Sequence, residues 1–487
     1  MAHLVKGTLA TLVSGALFYF GTGLHPIWYL TWLAPIPVLL FASSAPGWAA
    51  ALAAFLAWAA GAANEFVYGY HVVGLPLAVM VVVLVGPSLA FAVAVMIWRF
   101  CLRRGAWGEA MLALPSAWAG FEFLNASTSP HGTFGSLAYS QMDCLPVLQL
   151  ASLTGLWGVS FLVLLAASTA AVLIARRRGW IAGASVLAVF CAVVAFGEWR
   201  LQSSLHATGH LDVALIGSDM EQDHWARDDA QALAILGRYA AEVESMKGAQ
   251  VIVLPEDLGP ISPAVSRQAA QILSDAAKHS GAELVAGLRA GRTPPMLNEA
   301  LVFSPTGTLE AMYEKHHLIP GLEGGIVVGT QISTLSSPSG VKGIEICKDM
   351  DFTDLTREYG ARGVGLLLVP AFDFDVDRWL HGRMAVMRGV ESGFSIARAA
   401  RHGLLTITDN RGRVLAERPT SKAGFVVVTA DVPVAHENTV YDQFGDWFAW
   451  LSVALLIASV VSALFRRAAP RAKAPFPPLR SARAVVQ

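Results

Sequence analysis

Charge is almost missing from the first two-fifths of the chain, and that gap limits the possible folds more than any motif does. Between Met1 and Trp199 the acidic and basic residues are Lys6, Glu65, Arg99, Arg103, Arg104, Glu109, Glu122, Asp143, Arg176, Arg177, Arg178 and Glu198. From Arg200 to Asp446 charges are frequent and scattered. A bilayer core about 30 Å thick takes ~20 apolar residues to cross as a helix. Runs of that kind lie at 5–23, 27–43, 48–66, 75–98, 109–125, 148–175 and 180–198, with an eighth at 447–465. The second is short and carries Pro35 and Pro37. Lys6 ahead of the first run could open a signal peptide, but apolar spans follow it without a soluble start, which favours a membrane span. The chain therefore divides into 1–199 with seven spans, a water-soluble segment 200–446, a last span 447–465, and a tail 466–487. A wholly soluble enzyme is excluded. So is a nucleic-acid binder that works by bulk charge, since the net charge is −1 and no basic stretch is interleaved with aromatics.

The connecting charges give an orientation. Arg99, Arg103 and Arg104 follow the fourth span, and Arg176, Arg177 and Arg178 the sixth. Arg466, Arg467, Arg471, Lys473, Arg480 and Arg483 follow the eighth with no acid among them. Basic loops stay in the cytoplasm. Both termini are then cytoplasmic, and segment 200–446 lies outside. The basic, proline-rich tail is expected to be disordered and held near the anionic leaflet. Trp447 and Trp450 read as an interfacial belt before the last span.

Two features of the membrane half have open readings. The stretch 126–146, with His131, Gly132, Phe134, Gly135, Tyr139 and Gln141, is either a surface connector or a loop folded beneath the outer domain to shape a lipid-facing entrance. Glu122 is either a functional intramembrane acid or one that reaches the interface.

The soluble half alternates strand-like and helical runs. Strands are expected at 211–216, 250–254, 283–288, 300–303, 343–347, 364–369, 395–400, 404–408 and 424–431, and helices at 226–246, 264–279, 353–359 and 379–391. This is an α/β layered pattern, whose reactive residues collect at strand ends. Three strand or turn ends stand out: the carboxylate of Val251-Ile-Val-Leu-Pro-Glu256, the amine of Tyr313-Glu-Lys315, and the thiol of Gly343-Ile-Glu-Ile-Cys347. A thiol nucleophile needs a base, which a carboxylate supplies, and a developing oxyanion needs a fixed donor, which an ammonium supplies. The three residue types make a complete covalent acyl-transfer set.

Pro255-Glu256, Tyr313-Glu-Lys315 and Ile346-Cys347, in that order, resemble the Glu-Lys-Cys triad of the nitrilase superfamily. With seven spans before the domain and one after, the chain is similar to the apolipoprotein N-acyltransferases. Thr31–Leu40, Phe134–Gln141, Gly155–Phe161 and Trp379–Arg388 with Glu391 resemble further stretches of that family. The resemblance implies a nitrilase-like α-β-β-α sandwich inserted into an eight-helix transmembrane bundle. It implies Cys347 as nucleophile, Glu256 as general base, and Lys315 with the backbone N–H of Lys348 as oxyanion donors. Glu323, eight residues after Lys315, would orient the amine or the base. The implied reaction moves an acyl chain from a phospholipid, through a thioester, to the N-terminal amine of a lipidated apolipoprotein. Water or another amine as acceptor, in an amidase or thioesterase, is the alternative. The chain departs from the family at Lys348 and Asp349, at Gly321-Leu-Glu323-Gly, and at Ala371-Phe-Asp-Phe-Asp375.

Other candidates carry less. Cys101, Cys144 and Cys191 form no CxxC pair with each other or with Cys347, so no zinc site or disulfide framework is indicated. No Walker or dinucleotide glycine pattern occurs, and no cofactor is expected. His316 and His317 are adjacent, so on a strand they face opposite ways and make a poor metal pair. His381 is expected to support the site or lie at the surface. Asp373, Asp375 and Asp377 alternate as in a calcium loop, but no glycine or distal Glu completes one, and a solvated acidic loop is expected.

Overall fold

The computed structural model describes residues 2–176, 179–204, 207–220 and 226–466. Arg177, Arg178 and the tail from Arg467 onward, which belong to the predicted basic clusters, lie outside the described residues. Six described helices are long and apolar enough to cross a membrane: His3–Gly21, Gly47–Val72, Leu77–Arg103, Leu156–Arg176, Trp180–Gln202 and Trp447–Phe465. The other two predicted runs also form helices. Leu30–Ser44 is apolar but shorter than a full crossing. Trp107–Thr128 is long enough, at 22 residues, but carries Glu109 and Glu122. It sits centrally against Leu77–Arg103, Leu156–Arg176 and Trp447–Phe465, so its neighbours shield it. Without a hydrophobic drive between helices in lipid, close approach depends on small residues. At Gly61 an added side-chain carbon would meet Phe18 Cβ at 2.4 Å. Ala50, Ala53, Ala54 and Ala57 continue that narrow seam.

The described arginines of the predicted basic clusters gather at one end of the bundle. Arg104 donates to the carbonyl of Arg466 at 3.2 Å, and Arg466 pairs with Glu109 at 2.5 Å. Gly179, just past Arg176, lies against Met111 and Trp107. The other end meets the soluble domain. There Trp157 Nε1 donates to Asp446 at 2.7 Å, Leu156 N to Glu391 at 2.7 Å, and Arg200 pairs with Glu437 at 2.7 Å. One apolar core runs through this junction, joining Tyr139, Leu148 and Trp157 to Met384, Met387, Val390 and Tyr441.

The soluble domain is two sheets face to face. The first runs Val426–Ala435, Ala207–Gly217, Val251–Val253, Glu283–Ala290, Leu297–Phe303, Leu309–Glu314, with Pro260–Ile261 beside Glu283–Ala290. The second runs Val414–Pro419, Leu404–Thr408, Ser395–Arg401, Val364–Phe372, Gly340–Ile344, Ser333–Ser337. Alternation assigns the faces. Leu211, Val213 and Leu215 join Ile346, Leu366, Leu368, Ala397 and Ala399 between the sheets. Ala214 and Ile216 point outward to the helices Asp229–Ser245 and Ser266–Ser280. Leu367, Val369 and Ile396 point out on the other side, where Thr353–Ala361 and Arg378–Ser392 cover the second sheet. The result is the expected α-β-β-α sandwich.

All nine predicted strands and four predicted helices exist, with shifted ends. Four strands were not predicted. Pro260–Ile261 is only two residues long. Leu309–Glu314, Ser333–Ser337 and Val414–Pro419 are sheet edges, largely exposed, and lack the apolar alternation that marks a half-buried strand. The strand expected to end at Cys347 lies three residues earlier, at Gly340–Ile344, and Cys347 opens a tight 3-10 turn, Cys347–Asp351.

Candidate active site

The three predicted strand-end residues come together in the interior. Glu256 follows Val251–Val253 past Pro255. Its backbone passes so close to Gly287 that a side chain there would meet Glu256 Cα at 2.6 Å. Lys315 follows Leu309–Glu314 and is pinned by its own N–H to the carbonyl of Asn298 at 2.9 Å. Its ammonium donates to Glu256 Oε1 at 2.8 Å and to Glu323 Oε1 and Oε2 at 3.0 and 3.1 Å. Burial alone would lower its pKa, but the carboxylates of Glu256 and Glu323 hold it well above the ordinary range, so the amine is charged. Glu323 also accepts from the Ile319 N–H at 2.6 Å, tying the following loop to the cluster.

Glu256 uses its two oxygens differently. Oε1 accepts from Lys315 and from Asn298 Nδ2, the latter at 2.6 Å. Oε2 is buried and has no hydrogen-bond partner. An unpartnered buried carboxylate oxygen is costly and free to take a proton. Asn298, whose amide bridges Glu256 and Glu323 (3.0 Å), was not singled out from the sequence. The signal was a pair of polar side chains, Asn298 and Glu299, in the otherwise apolar, buried strand Leu297–Phe303.

Cys347 has a positive φ of 46°, a conformation that costs a non-glycine residue on the order of 1–3 kcal/mol and clusters at functional sites. Its thiol donates to the carbonyl of Phe372 at 3.3 Å. Burial and the Glu256 carboxylate push its pKa well up, against the pull of Lys315 and Arg398. The resting sulfur is therefore a thiol that needs a base. Of the three residues, Cys347 is the one on the wall of a cavity of about 500 Å³. The far end of this cavity is lined by Phe18, Trp58, Val79, Val82 and Pro87 from three membrane helices.

The two residues after Cys347 diverge. Asp349 is fully buried and does not reach the cavity. It accepts from Tyr313 Oη (2.8 Å), His317 N (2.7 Å) and Ile346 N (3.3 Å), clamping the Lys315 segment to the nucleophile turn. Lys348 lines the cavity, pairs with Asp351 at 3.1 Å, and approaches His131 Nδ1 at 3.3 Å. His316 and His317 go to separate partners, the Glu314 carbonyl and Asp349.

Stretch 126–146 is no surface connector. Thr133 donates from N and Oγ1 to the carbonyl of Asp351 at 2.9 and 2.8 Å, and a side chain at Gly132 (φ 52°) would meet that carbonyl at 2.4 Å. Only glycine permits this contact between the membrane half and the nucleophile turn. Glu122 lies at the base of the stretch, buried, accepting from Trp118 Nε1 at 2.9 Å and Leu137 N at 2.7 Å. The expected solvated acidic loop is also corrected. Asp373 and Asp377 are fully buried, because basic partners sit inside with them. Asp373 takes both ends of Arg398, at 2.9 and 2.5 Å, and Asp377 pairs with His381 at 3.1 Å and accepts from Tyr68 Oη at 2.7 Å. Asp375 alone is exposed. Arg398, a charge in the middle of a buried strand, is a second residue that sequence reasoning missed.

A buried carboxylate–ammonium–thiol cluster at the strand ends of a two-sheet sandwich defines a carbon-nitrogen hydrolase type of enzyme. Residues 212–439 match the carbon-nitrogen hydrolase family model, and residues 14–169 match that of the apolipoprotein N-acyltransferase N-terminal domain. An apolipoprotein N-acyltransferase from Geobacter metallireducens is 28% identical over 73% of this chain and 74% of its own. One from Brucella melitensis is 25% identical over 95% and 94%. Among solved structures, an amidase from Nesterenkonia sp. aligns at 23% identity and a TM-score of 0.41, over 50% of this chain and 95% of its own. The chain belongs to the apolipoprotein N-acyltransferase family, and it is a multi-pass membrane enzyme.

Proposed function

We propose that this enzyme moves a fatty acyl group from a glycerophospholipid to the N-terminal amine of an S-diacylglyceryl-cysteine lipoprotein, through a thioester on Cys347. Glu256 Oε2 takes the thiol proton as sulfur attacks the ester carbonyl. The tetrahedral oxyanion is met by the Lys315 ammonium and the Lys348 backbone N–H. Collapse breaks the ester C–O bond, and Glu256 returns its proton to the departing lysophospholipid oxygen. In the second half the acceptor amine attacks the thioester carbonyl, Glu256 takes the amine proton, and the thiolate leaves and is reprotonated. Glu323 and Asn298 hold the ammonium and the base in register, and Asp349 fixes the nucleophile turn to the lysine segment. The observation that carries this reading is the buried, unpartnered Oε2 of Glu256, whose other oxygen is held by the Lys315 ammonium and the Asn298 amide. A cavity that runs from Cys347 into the membrane helices supports lipid substrates at both steps.

In this reading the chain crosses a bacterial inner membrane eight times, with residues 200–446 periplasmic and the basic ends cytoplasmic. The clustering of Arg104, Arg176 and Arg466 at the end opposite the sandwich supports that topology. The function is tested by product analysis after incubation with phospholipid and a lipidated peptide. N-acylated peptide is expected; free fatty acid in its place would make water the acceptor.

A further inference from the structure

Lys348 is an odd neighbour for a nucleophile that takes acyl chains from lipids. Its side chain is 6% exposed, and a buried ammonium is costly unless its hydrogens find partners. One goes to Asp351 Oδ2 at 3.1 Å and one to His131 Nδ1 at 3.3 Å, and the stem lies near the Phe352 ring, 5.7 Å from Nζ to its centre. An ammonium has three N–H donors, which leaves one. Burial and the Lys348 charge lower the His131 pKa against the pull of Asp351. That imidazole is therefore neutral, accepts at Nδ1 and carries its proton on Nε2. Lys348, His131 and Asp351 all line the cavity on which Cys347 opens. The place where the acyl ester must sit thus has two donors beside it that the reaction steps do not use.

We propose that Lys348 Nζ and His131 Nε2 dock the phosphate of the acyl donor, so that Lys348 selects a phosphate-bearing glycerolipid over a neutral one. This rests on the reading of Cys347 as the acyl-accepting nucleophile. In a glycerophospholipid the phosphate lies only a few bonds from the nearest ester carbonyl, and Lys348 is the residue next to Cys347. An ester carbonyl at Sγ and a phosphate at Nζ are two ends of one donor. Asp351 fixes the lysine and keeps the pair close to neutral, so the phosphate is recognised without being trapped. That suits a ping-pong enzyme, which must release the lysophospholipid before a phosphate-free acceptor can enter.

The test compares diacyl glycerophospholipid with diacylglycerol of the same chains, reading thioester formation on Cys347 by mass spectrometry. The wild-type protein is set beside Lys348→Arg and beside Lys348→Met made together with Asp351→Asn, so that no carboxylate is left buried alone. A charge-assisted hydrogen bond corresponds to a roughly ten- to hundred-fold preference. The wild type should favour the phospholipid by about that factor, Lys348→Arg should keep most of it, and the double variant should lose it. A preference that survives the double variant, or a wild type that shows none, overturns the proposal. A second arm needs neither variants nor chemistry: binding of a dialkyl ether glycerophospholipid and of a dialkylglycerol to the wild-type protein. Tighter binding of the phosphate-bearing ether supports the proposal even if no thioester ever forms, in which case the nucleophile reading alone falls. Equal binding of the two ethers overturns the phosphate site whatever happens at Cys347.

Discussion

Two groups of buried charge meet at Cys347, and they are built differently. Glu256, Lys315, Glu323 and Asn298 all come from the sandwich and are held by direct hydrogen bonds of 2.6–3.1 Å. The cavity-wall group is assembled across the junction. His131 and Tyr68 come from the membrane half, and Lys348, Asp351 and His381 from the sandwich, with Asp377 behind the wall holding Tyr68 and His381. In the proposed mechanism the chemical step is thus contained in one domain, while the surface a lipid would meet exists only where two domains touch. Disturbing the first group should abolish chemistry. Disturbing the second should weaken lipid handling and leave the step itself competent.

The largest effect belongs to the base. Glu256→Gln keeps the shape and the contact to Lys315 but removes proton acceptance at Oε2. General-base catalysis is worth roughly 10²–10⁴-fold, so thioester formation should fall by that much in single-turnover measurements. A wild-type rate would remove Glu256 from the mechanism and dissolve the contrast.

Glu256 and Cys347 were readable from sequence because each follows a buried apolar run, where a polar side chain has no structural reason to be; Lys315, which follows the exposed edge Leu309–Glu314, was readable only through its resemblance to the family's triad. Asn298 and Arg398 were not readable, because a polar residue inside a strand looks the same whether it faces solvent, a partner or a site. The group behind the cavity wall was the hardest. Asp373 and Asp377 read as solvated acids because, His381 apart, their partners are distant: Arg398 in another strand, and Tyr68 309 positions away in the membrane half. The edge strands were silent for a related reason, since an edge need not bury an alternating face. By contrast, the membrane half was legible in outline from its missing charge, though not in its irregularities. The 3-10 and π turns at Ala63–Glu65 and Tyr68–Val72, which carry Tyr68 to Asp377, leave no mark in an apolar run.

Asn298→Ala should give the next effect. It removes a donor shared by Glu256 and Glu323, and a hydrogen bond to a charged group corresponds to roughly ten- to hundred-fold in rate. As a positioning residue it should lower kcat and leave KM near its original value. A change confined to KM would move Asn298 out of the chemical group.

Tyr68→Phe tests the other side. Asp377 keeps His381 and the Phe374 N–H (2.8 Å), so only one link between the halves is lost. A few-fold rise in KM for phospholipid is expected, with kcat for a short-chain soluble ester held. Equal loss on both substrates would mean that the junction and the chemistry are not separable.

The smallest effect is on stability. Burial alone would lower the His381 pKa, but Asp377 and Asp373 raise it from 6.5 to about 9. Burial opposes the shift at Asp377 too, yet His381 and Tyr68 lower it from 3.8 to about 2. A base whose folded pKa is raised adds stability in full below its unfolded value and loses it as pH rises through the folded one. The His381 contribution should therefore be complete below about pH 6.5 and decline towards pH 9. Melting temperatures should fall across that window in the wild type, and the slope should flatten in His381→Phe. Parallel curves would show that this pair does not stabilise the junction.

The central claim is that the acyl transfer to sulfur is performed within the sandwich domain, with Glu256 Oε2 as the proton acceptor. Intact-protein mass spectrometry of the reconstituted enzyme after brief exposure to phospholipid tests it most directly. The account predicts a mass increase of one acyl chain, mapped to Cys347, cleaved by neutral hydroxylamine and absent from Cys347→Ala. An acyl adduct on any other residue, or product formed by Cys347→Ala, would contradict it.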